Sequence, residues 1–279
     1  MSASRVHAAE KRAAPGNPAP WTCLIYHDVT PGSPGVTGGK DYFSVSSATF
    51  RRQLEVIEEL GYRGCSIASA IGRPDGAVAI SFDDGDLGQA TRAFPALAAR
   101  NMTATFFVTT AWMDRPGYAS WNQLREMQAA GMSIQSHTHT HPFLSELDRE
   151  RLQLELRRSR EILDERLGQT TTMIAYPGGD APAPRLRHLL AEEGYRIVAT
   201  SRWGRNSPRI TEEQRFIRRC TVRGSLDEAG FAAIVSGDTL LSFRRQARER
   251  VLAFLRSSLG PSRYARWRRR FLNTVGQAS

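Results

Sequence analysis

The sequence contains no apolar run that approaches the roughly 20 residues of a membrane-spanning helix. Its first 20 residues mix charges with alanine, proline and glycine and lack the apolar core of a secretory signal. We therefore expect a disordered leader over 1–20 and a cytoplasmic protein.

Cysteine is scarce in the sequence. Cys23, Cys65 and Cys220 are odd in number and widely spaced, which fits neither a disulfide framework nor a cysteine-based zinc site.

Lysine is almost absent, so nearly all of the basic charge is arginine, and that charge is unevenly placed. Ten arginines against one glutamate lie between Arg244 and Arg270, whereas the formal net charge of the whole chain is only +10. The body of the protein is therefore nearly neutral and residues 241–279 form a strongly basic tail. Within it, residues 261–272 place three aromatic side chains on one helical stripe among arginines, a pattern typical of a membrane-surface helix.

Two interpretations of this tail remain open. It could bind the inner face of a membrane, which would make the protein peripheral there, or it could be a solvated basic helix packed on the body. Nucleic acid is not an expected partner, because no nucleic-acid-binding fold is recognisable in the sequence.

Apolar runs of strand length alternate with amphipathic segments along residues 21–240. This alternation predicts a parallel sheet with helices outside it, and polar clusters follow the strands, as they do in (β/α) barrels. We expect a single-domain, distorted (β/α) barrel. The predicted strands cover 21–26, 77–82, 104–108, 132–136, 172–176, 197–200 and 216–222, and the predicted helices cover 47–60, 89–100, 121–130, 148–167, 184–193 and 226–235.

Two of these strands end in clusters of metal-binding side chains. The run Ala79–Phe82 leads into Asp83-Asp84-Gly85, and the strand ending at Ser136 leads into three alternating histidines. One carboxylate and two imidazoles, from Asp84, His137 and His141, form the ligand set of a catalytic site for a divalent cation. The adjacent Asp83 is left free to act as a base. Alternation turns His139 away, so loop packing is expected for it.

Three motifs carry a resemblance to a known family. Ser81-Phe82-Asp83-Asp84-Gly85, His137-Thr138-His139-Thr140-His141 and Ala175-Tyr176-Pro177-Gly178-Gly179 resemble, in this order, motifs of the polysaccharide deacetylases, the NodB-like carbohydrate esterases of family 4. The opening Leu24-Ile25-Tyr26-His27-Asp28-Val29 is similar to the branch that includes poly-N-acetylglucosamine deacetylases. The resemblance covers about residues 21–235.

The resemblance implies a role for each matching residue. Asp83 matches the general base, and Asp84, His137 and His141 match the ligands of zinc or another divalent ion. Tyr176 matches the residue whose backbone N–H stabilises the oxyanion, and Pro177 lies beside it at the substrate. The implied reaction is hydrolysis of an N-acetyl amide, or of an O-acetyl ester, on a saccharide during cell-surface or exopolysaccharide synthesis.

The sequence departs from the family pattern at two catalytic positions. The late leucine-x-x-histidine motif that supplies the acid is absent, and Ala175 stands where the third motif has an arginine. We predict that His27 replaces the acid and that Arg219 replaces the arginine, with a structural histidine and a surface arginine as the alternatives. Trp203 is the predicted sugar-stacking residue, whereas Trp121 is expected in the core.

Two other functions remain compatible with these motifs. The barrel could hydrolyse a small cytosolic amide instead of a saccharide. Alternatively, the incomplete motifs could leave a protein that binds carbohydrate without cleaving it.

Overall fold

The computed structural model describes residues 20–32, 43–71, 73, 77–207 and 216–238. The predicted tail, 241–279, lies outside the described residues, as does the predicted leader except for its last residue. The strands are β1 (Thr22–Tyr26), β2 (Val29–Thr30), β3 (Val45–Ser46), β4 (Gly64–Cys65), β5 (Val78–Phe82), β6 (Thr105–Val108), β7 (Ser133–Ser136), β8 (Met173–Ala175), β9 (Ile197–Ala199), β10 (Phe216–Ile217) and β11 (Cys220–Thr221).

The helices are α1 (Ser47–Glu59), α2 (Ile67–Ala70), α3 (Phe94–Ala98), α4 (Trp121–Ala129), α5 (Arg149–Leu167), α6 (His188–Glu192) and α7 (Glu228–Ser236). Short polar side chains define where they begin. The Ser120 hydroxyl accepts the N–H of Gln123, whose side chain accepts the N–H of Ser120 in return, and Asp148 caps α5. Ser46 caps α1, because its hydroxyl accepts the N–H of Thr49. None of the described helices combines the length and the apolarity that crossing a bilayer requires.

Two predicted helices are irregular. The segment predicted as a helix over 89–100 begins with a π-helical turn, Gln89–Ala93, and becomes α-helical only at α3. Pro95 has no N–H and cannot donate an α-helical hydrogen bond. The wider π-helical turn lies just before this proline. The helix predicted over 184–193 is divided into a 3₁₀ turn, Pro184–Leu186, and α6.

Nine of the described strands form a parallel sheet that the chain itself closes into a barrel, whereas β2 and β3 pair only with each other. The strand order is β10-β9-β8-β7-β6-β5-β1-β11, so β10 and β11 occupy opposite edges. Only Arg218 and Arg219 separate these two strands, so one short stretch pairs with β9 through Ile217 and with β1 through Cys220. This confirms the predicted (β/α) barrel, although the strand predicted over 216–222 is two strands.

Alternate residues of the strands face two different cores. One cluster combines strand residues with residues of α1, α3, α4 and α7, and therefore lies between the sheet and the helices. The other set of strand residues forms the barrel interior, where Phe107 and Ile217 lie among four small side chains, those of Cys23, Ala79, Ala175 and Ala199. The small residues leave space inside the barrel for one long polar side chain.

Candidate metal centre and active site

The double aspartate lies in a sharp turn at the carboxyl end of β5. Asp84 has a φ of 82° and Gly85 a φ of 89°, both in the left-handed region. A non-glycine residue in this region costs about 1–2 kcal/mol, and such strain is concentrated at functional sites. The N–H of Thr109 donates to the carbonyl of Asp84 at 3.2 Å and supports the turn. As a result, Asp83 and Asp84 enter different environments.

Asp84 faces two histidines that follow β7. Its Oδ1 lies 3.4 Å from Nε2 of His137 and 3.4 Å from Nε2 of His141. The three ligand atoms all lie within 4.8 Å of one another. A cation bound through bonds of about 2.0–2.2 Å separates tetrahedral ligands by about 3.3–3.6 Å, so these residues fit a divalent metal site. Carboxylate and imidazole ligands suit zinc and similar ions.

The loop that carries the two histidines fixes which nitrogen can bind a cation. Nδ1 of His137 lies 3.0 Å from the carbonyl of Ala175, which holds the ring proton there and leaves Nε2 as the ligand. Thr138 and His141 both have left-handed φ values, 68° and 65°. The N–H of His141 donates to the Thr138 hydroxyl at 3.1 Å, and the ring of Trp112 packs 5.0 Å from the imidazole of His141.

His139 lies outside this ligand group. Its Nδ1 is 2.8 Å from the hydroxyl of Thr110, two residues after β6, and its main-chain N–H donates to a carboxylate on α5. Partial burial lowers the pKa of His139 below its ordinary value. The packing role predicted for this residue agrees with its position.

Asp83 turns into the barrel and meets Arg219. The guanidinium donates to both carboxylate oxygens, at 2.6 Å and 2.8 Å. It also donates to the carbonyl of Thr200 at 3.0 Å and to the hydroxyl of Ser81 at 3.2 Å, and it lies 5.2 Å from the ring of Phe107. Arg219 is completely buried. It therefore fills the space left by the small interior residues and is not a surface arginine.

The protonation states of the two aspartates follow from these contacts. Burial by itself would raise the pKa of Asp83, but the charges of Arg219 and His137 lower it below its ordinary value. Burial likewise opposes ionisation of Asp84, and its contacts with the two histidines hold its pKa well below the ordinary value. Both carboxylates are therefore ionised at neutral pH.

His27 follows β1 and lies at the same rim. Its ring packs 4.9 Å from the ring of Phe43, and its Nδ1 is buried without a hydrogen-bond partner among the described residues. Burial lowers the pKa of His27, although the charges of Asp84 and Asp83 oppose that shift. The structure therefore places this histidine near both aspartates. Its role as the acid stays a prediction.

Gln89 was not identified from the sequence. Its side-chain amide donates to the carbonyl of His27 at 3.1 Å and to the carbonyl of Asp83 at 2.5 Å, so it joins the ends of β1 and β5. Gln89 begins the π-helical turn, and π-helical turns often occur at functional sites. The neighbouring Gly88 is pressed against Asp28, where a Cβ atom would collide. No pattern in the sequence predicted the hydrogen bonds of Gln89.

Tyr176 and Pro177, which follow β8, are both buried. Tyr176 is buried, its hydroxyl has no partner among the described residues, and its N–H donates to the carbonyl of Ala199 at 3.3 Å. Burial raises the pKa of the Tyr176 hydroxyl to about 12. Pro177 is buried at the start of a 3₁₀ turn. The oxyanion and substrate roles of these two residues stay predictions.

The sugar-stacking role predicted for Trp203 does not agree with its position. Trp203 is only 7% exposed and packs in the cluster between the sheet and the helices. An indole buried in this way offers no free face to a sugar ring. Trp121 is equally buried, as expected for a core residue.

Comparison with known proteins agrees with this geometry. The family model described as polysaccharide deacetylase matches residues 70–198, which include Asp83, Asp84, His137 and His141. The stretch that carries the aspartates and the histidines therefore resembles the polysaccharide deacetylase family. His27 and Arg219 lie outside the stretch that the family model matches.

Two curated relatives and one solved structure illustrate the similarity. YxkH of Bacillus subtilis (strain 168) is 27% identical over 194 residues, which cover 67% of this chain and 66% of that protein. The poly-beta-1,6-N-acetyl-D-glucosamine N-deacetylase of Escherichia coli (strain K12) is 30% identical over 120 residues, 35% of this chain and 18% of that enzyme. The chain thus spans less than two thirds of the length of either relative.

The solved structure is the Streptococcus pyogenes deacetylase PplD in complex with acetate. It matches with a TM-score of 0.70 and 24% identity, and the match covers 78% of this chain and 99% of that chain. At this level of identity the likeness concerns the fold. It agrees with the barrel described above.

Proposed function

We propose that the protein is a metal-dependent hydrolase that removes acetyl groups from a saccharide, with N-acetyl preferred to O-acetyl. The observation that carries this proposal is that the two adjacent aspartates bind different partners. Asp84 faces His137 and His141, whereas Asp83 is bound by a buried guanidinium. The match to the polysaccharide deacetylase family model and the name of the Escherichia coli relative support an N-acetylated saccharide as the substrate.

Each side chain of the site has a distinct task in such a reaction. A divalent cation, most simply zinc, held by Asp84, His137 and His141 would polarise the substrate carbonyl and lower the pKa of a water. Asp83 is ionised and accepts the proton of the attacking water. Arg219 holds both oxygens of Asp83 in place and keeps the carboxylate charged. His27 donates a proton to the departing amine.

The Arg219 contact also bears on the alternative of a protein that only binds carbohydrate. That alternative rested on the incomplete motifs, which lack the late histidine and the arginine of the third motif. Because Arg219 binds Asp83 through two hydrogen bonds from another part of the chain, the base is oriented without that arginine. The Arg219 contact therefore removes one of the two grounds for a binding relative, and the acid remains to be tested.

Acetate release from N-acetylglucosamine oligomers tests the proposal. We expect release with bound metal, loss of release after treatment with a chelator, and recovery when Zn²⁺ is returned. No release from any acetylated saccharide by the metal-loaded protein would favour the carbohydrate-binding alternative. Release from a small amide but not from the oligomers would favour the small-amide hydrolase.

Replacement of His27 tests the acid assignment. We expect His27→Ala to lower kcat by about 10²–10⁴-fold, the usual contribution of a general acid, and to leave metal binding intact. Because burial lowers the pKa of His27 below its ordinary value of 6.5, the alkaline limb of the wild-type kcat/KM profile should lie below pH 6.5 and should disappear in the variant.

The exposed His188 on α6 provides the matched control for this variant. His188→Ala should keep both the rate and the pH profile of the wild type. A metal-loaded His27→Ala protein with wild-type turnover would show that another group supplies the proton.

The biological setting is part of the proposal. Synthesis of a cell-surface polysaccharide or exopolysaccharide is the process that such a deacetylase serves, and we place the protein in the cytoplasm, peripheral to the inner membrane face. Contact with the membrane would depend on residues 241–279, which lie outside the described residues. It therefore stays a prediction from the sequence.

A further inference from the structure

One carboxylate on α5 holds the loop between the two metal-binding histidines. Glu155 accepts the main-chain N–H of His139 at 2.9 Å, the N–H of Thr140 at 2.8 Å and the hydroxyl of Thr140 at 2.6 Å. Within the described part of the chain, no cationic side chain forms an ion pair with Glu155. Its charge is therefore stabilised by the loop, as a carboxylate is stabilised by consecutive N–H groups in an anion-binding nest.

A second contact comes from the same helix one turn later. Ser159 occupies the buried stripe of α5, where the other buried residues are leucines. Its hydroxyl lies 2.7 Å from the hydroxyl of Ser136 and 2.8 Å from that of Tyr195. The Ser136 hydroxyl in turn accepts the N–H of Thr138 at 3.1 Å. This explains why a hydroxyl replaces an apolar side chain in the stripe, because a buried polar group needs partners.

Together these contacts engage three consecutive main-chain N–H groups, those of residues 138, 139 and 140. The same segment contains Thr138 and leads to His141, both with left-handed φ values. A loop in this conformation depends on outside support, because an unsupported chain relaxes out of it. The support comes from α5, whose residues 155 and 159 lie four apart and so share one face.

We infer that Glu155, with Ser159 one turn later, is a positioning residue that fixes the loop carrying His137 and His141 in its metal-binding conformation. The inference rests on the proposed metal-dependent function, because it concerns the same ligands. Glu155 binds the loop between the ligands and contributes no atom to the ligand group. It acts through the main chain of residues 139 and 140. Its loss therefore moves the ligands without removing any of them.

Zn²⁺ affinity, measured by competition with a chromophoric chelator, tests this inference without substrate. We expect Glu155→Ala to weaken Zn²⁺ binding by about 10- to 100-fold, the range typical of groups that orient metal ligands. Glu155→Gln should weaken it less, because both N–H groups donate to the same oxygen, Oε2, and an amide oxygen in that position can still accept them. Thr140→Val, which removes one of the three donors, should also have a smaller effect. The visible absorption bands of the Co²⁺-loaded protein should shift in Glu155→Ala, since they report ligand geometry.

Glu161 supplies the matched control, because it lies exposed on α5 and away from the loop. Glu161→Gln removes the same charge and should change neither the Zn²⁺ affinity nor the Co²⁺ spectrum. Thermal unfolding of the metal-free variants separates an effect on the loop from a loss of folding. A folded Glu155→Ala protein with wild-type affinity and spectrum would overturn the inference alone. A wild-type protein that binds no metal would overturn both the inference and the proposed function, whereas Glu155-dependent binding without acetate release would overturn only the function.

Discussion

Arg219→Ala is expected to destabilise the protein by about 3–5 kcal/mol, because it leaves a buried carboxylate without its partner. Arg219 is completely buried, and its guanidinium binds both oxygens of Asp83. The variant should also lose about 10²-fold or more in acetate release at neutral pH, since Asp83 is then poorly oriented and partly protonated. Urea unfolding and acetate release measure the two effects.

The destabilisation should depend on pH in a defined direction. In the wild type, Arg219 holds the pKa of Asp83 below its unfolded value of about 3.9, so this stabilisation is complete above that pH and is lost as the pH falls through the folded pKa. Without Arg219, burial raises the folded pKa. The variant then loses stability as the pH rises from about 3.9 towards the raised pKa. The stability difference between wild type and variant should therefore widen as the pH rises.

The adjacent Arg218 gives a control with the same loss of charge. Its side chain is exposed, so Arg218→Ala should change stability and activity little. Arg219→Lys retains the charge but cannot bind both carboxylate oxygens in a fork, and we expect intermediate activity. A stability difference for Arg219→Ala that is the same at about pH 4 and about pH 8 would contradict the proposed ionisation of Asp83.

His137→Ala is expected to abolish stoichiometric Zn²⁺ binding and to reduce acetate release by about 10³-fold or more, because a bound cation contributes several kcal/mol to such a reaction. Asp83→Asn should behave differently. It leaves all three ligands in place, so the protein should keep its Zn²⁺ and still lose about 10²–10⁴-fold in kcat. Metal content by atomic absorption and kcat on the same preparations separate the two roles.

His139→Ala is the control for these variants, because His139 lies between the ligands in sequence but binds Thr110. It should retain stoichiometric Zn²⁺. If His137→Ala retained it too, the assigned ligand set would be wrong. If Asp83→Asn lost its Zn²⁺, the assignment of Asp83 as a base that does not bind the metal would be wrong.

Much of the fold and the ligand trio was predictable because the signals are local. The apolar runs that end at Phe82 and Ser136 predicted β5 and β7 almost to the residue. The carboxyl ends of neighbouring parallel strands share one rim, so Asp84 and the two histidines could be expected to meet. The helix caps at Ser120 and Asp148 follow from short-range hydrogen bonding in the same way.

The sequence-based predictions were wrong where burial or an irregular backbone determines the position of a side chain. Trp203 was predicted to stack on sugar because it lies in a polar loop, but tertiary packing buries it. The π-helical turn at Gln89 replaces the regular helix that the periodicity predicted. Periodicity indicates which face of a segment is apolar. It does not show which side chains a distant strand covers.

The double aspartate shows what the sequence determines and what only the tertiary structure determines. The sequence alone determined that Asp83 and Asp84 end a strand beside a histidine cluster, because neighbouring residues and the strand period set those positions. Only the tertiary structure decided how the two carboxylates separate. Arg219 is 136 residues from Asp83, and Glu155 reaches the histidine loop from α5. Such partners are brought together by closure of the barrel and by helix packing, and no local pattern specifies them.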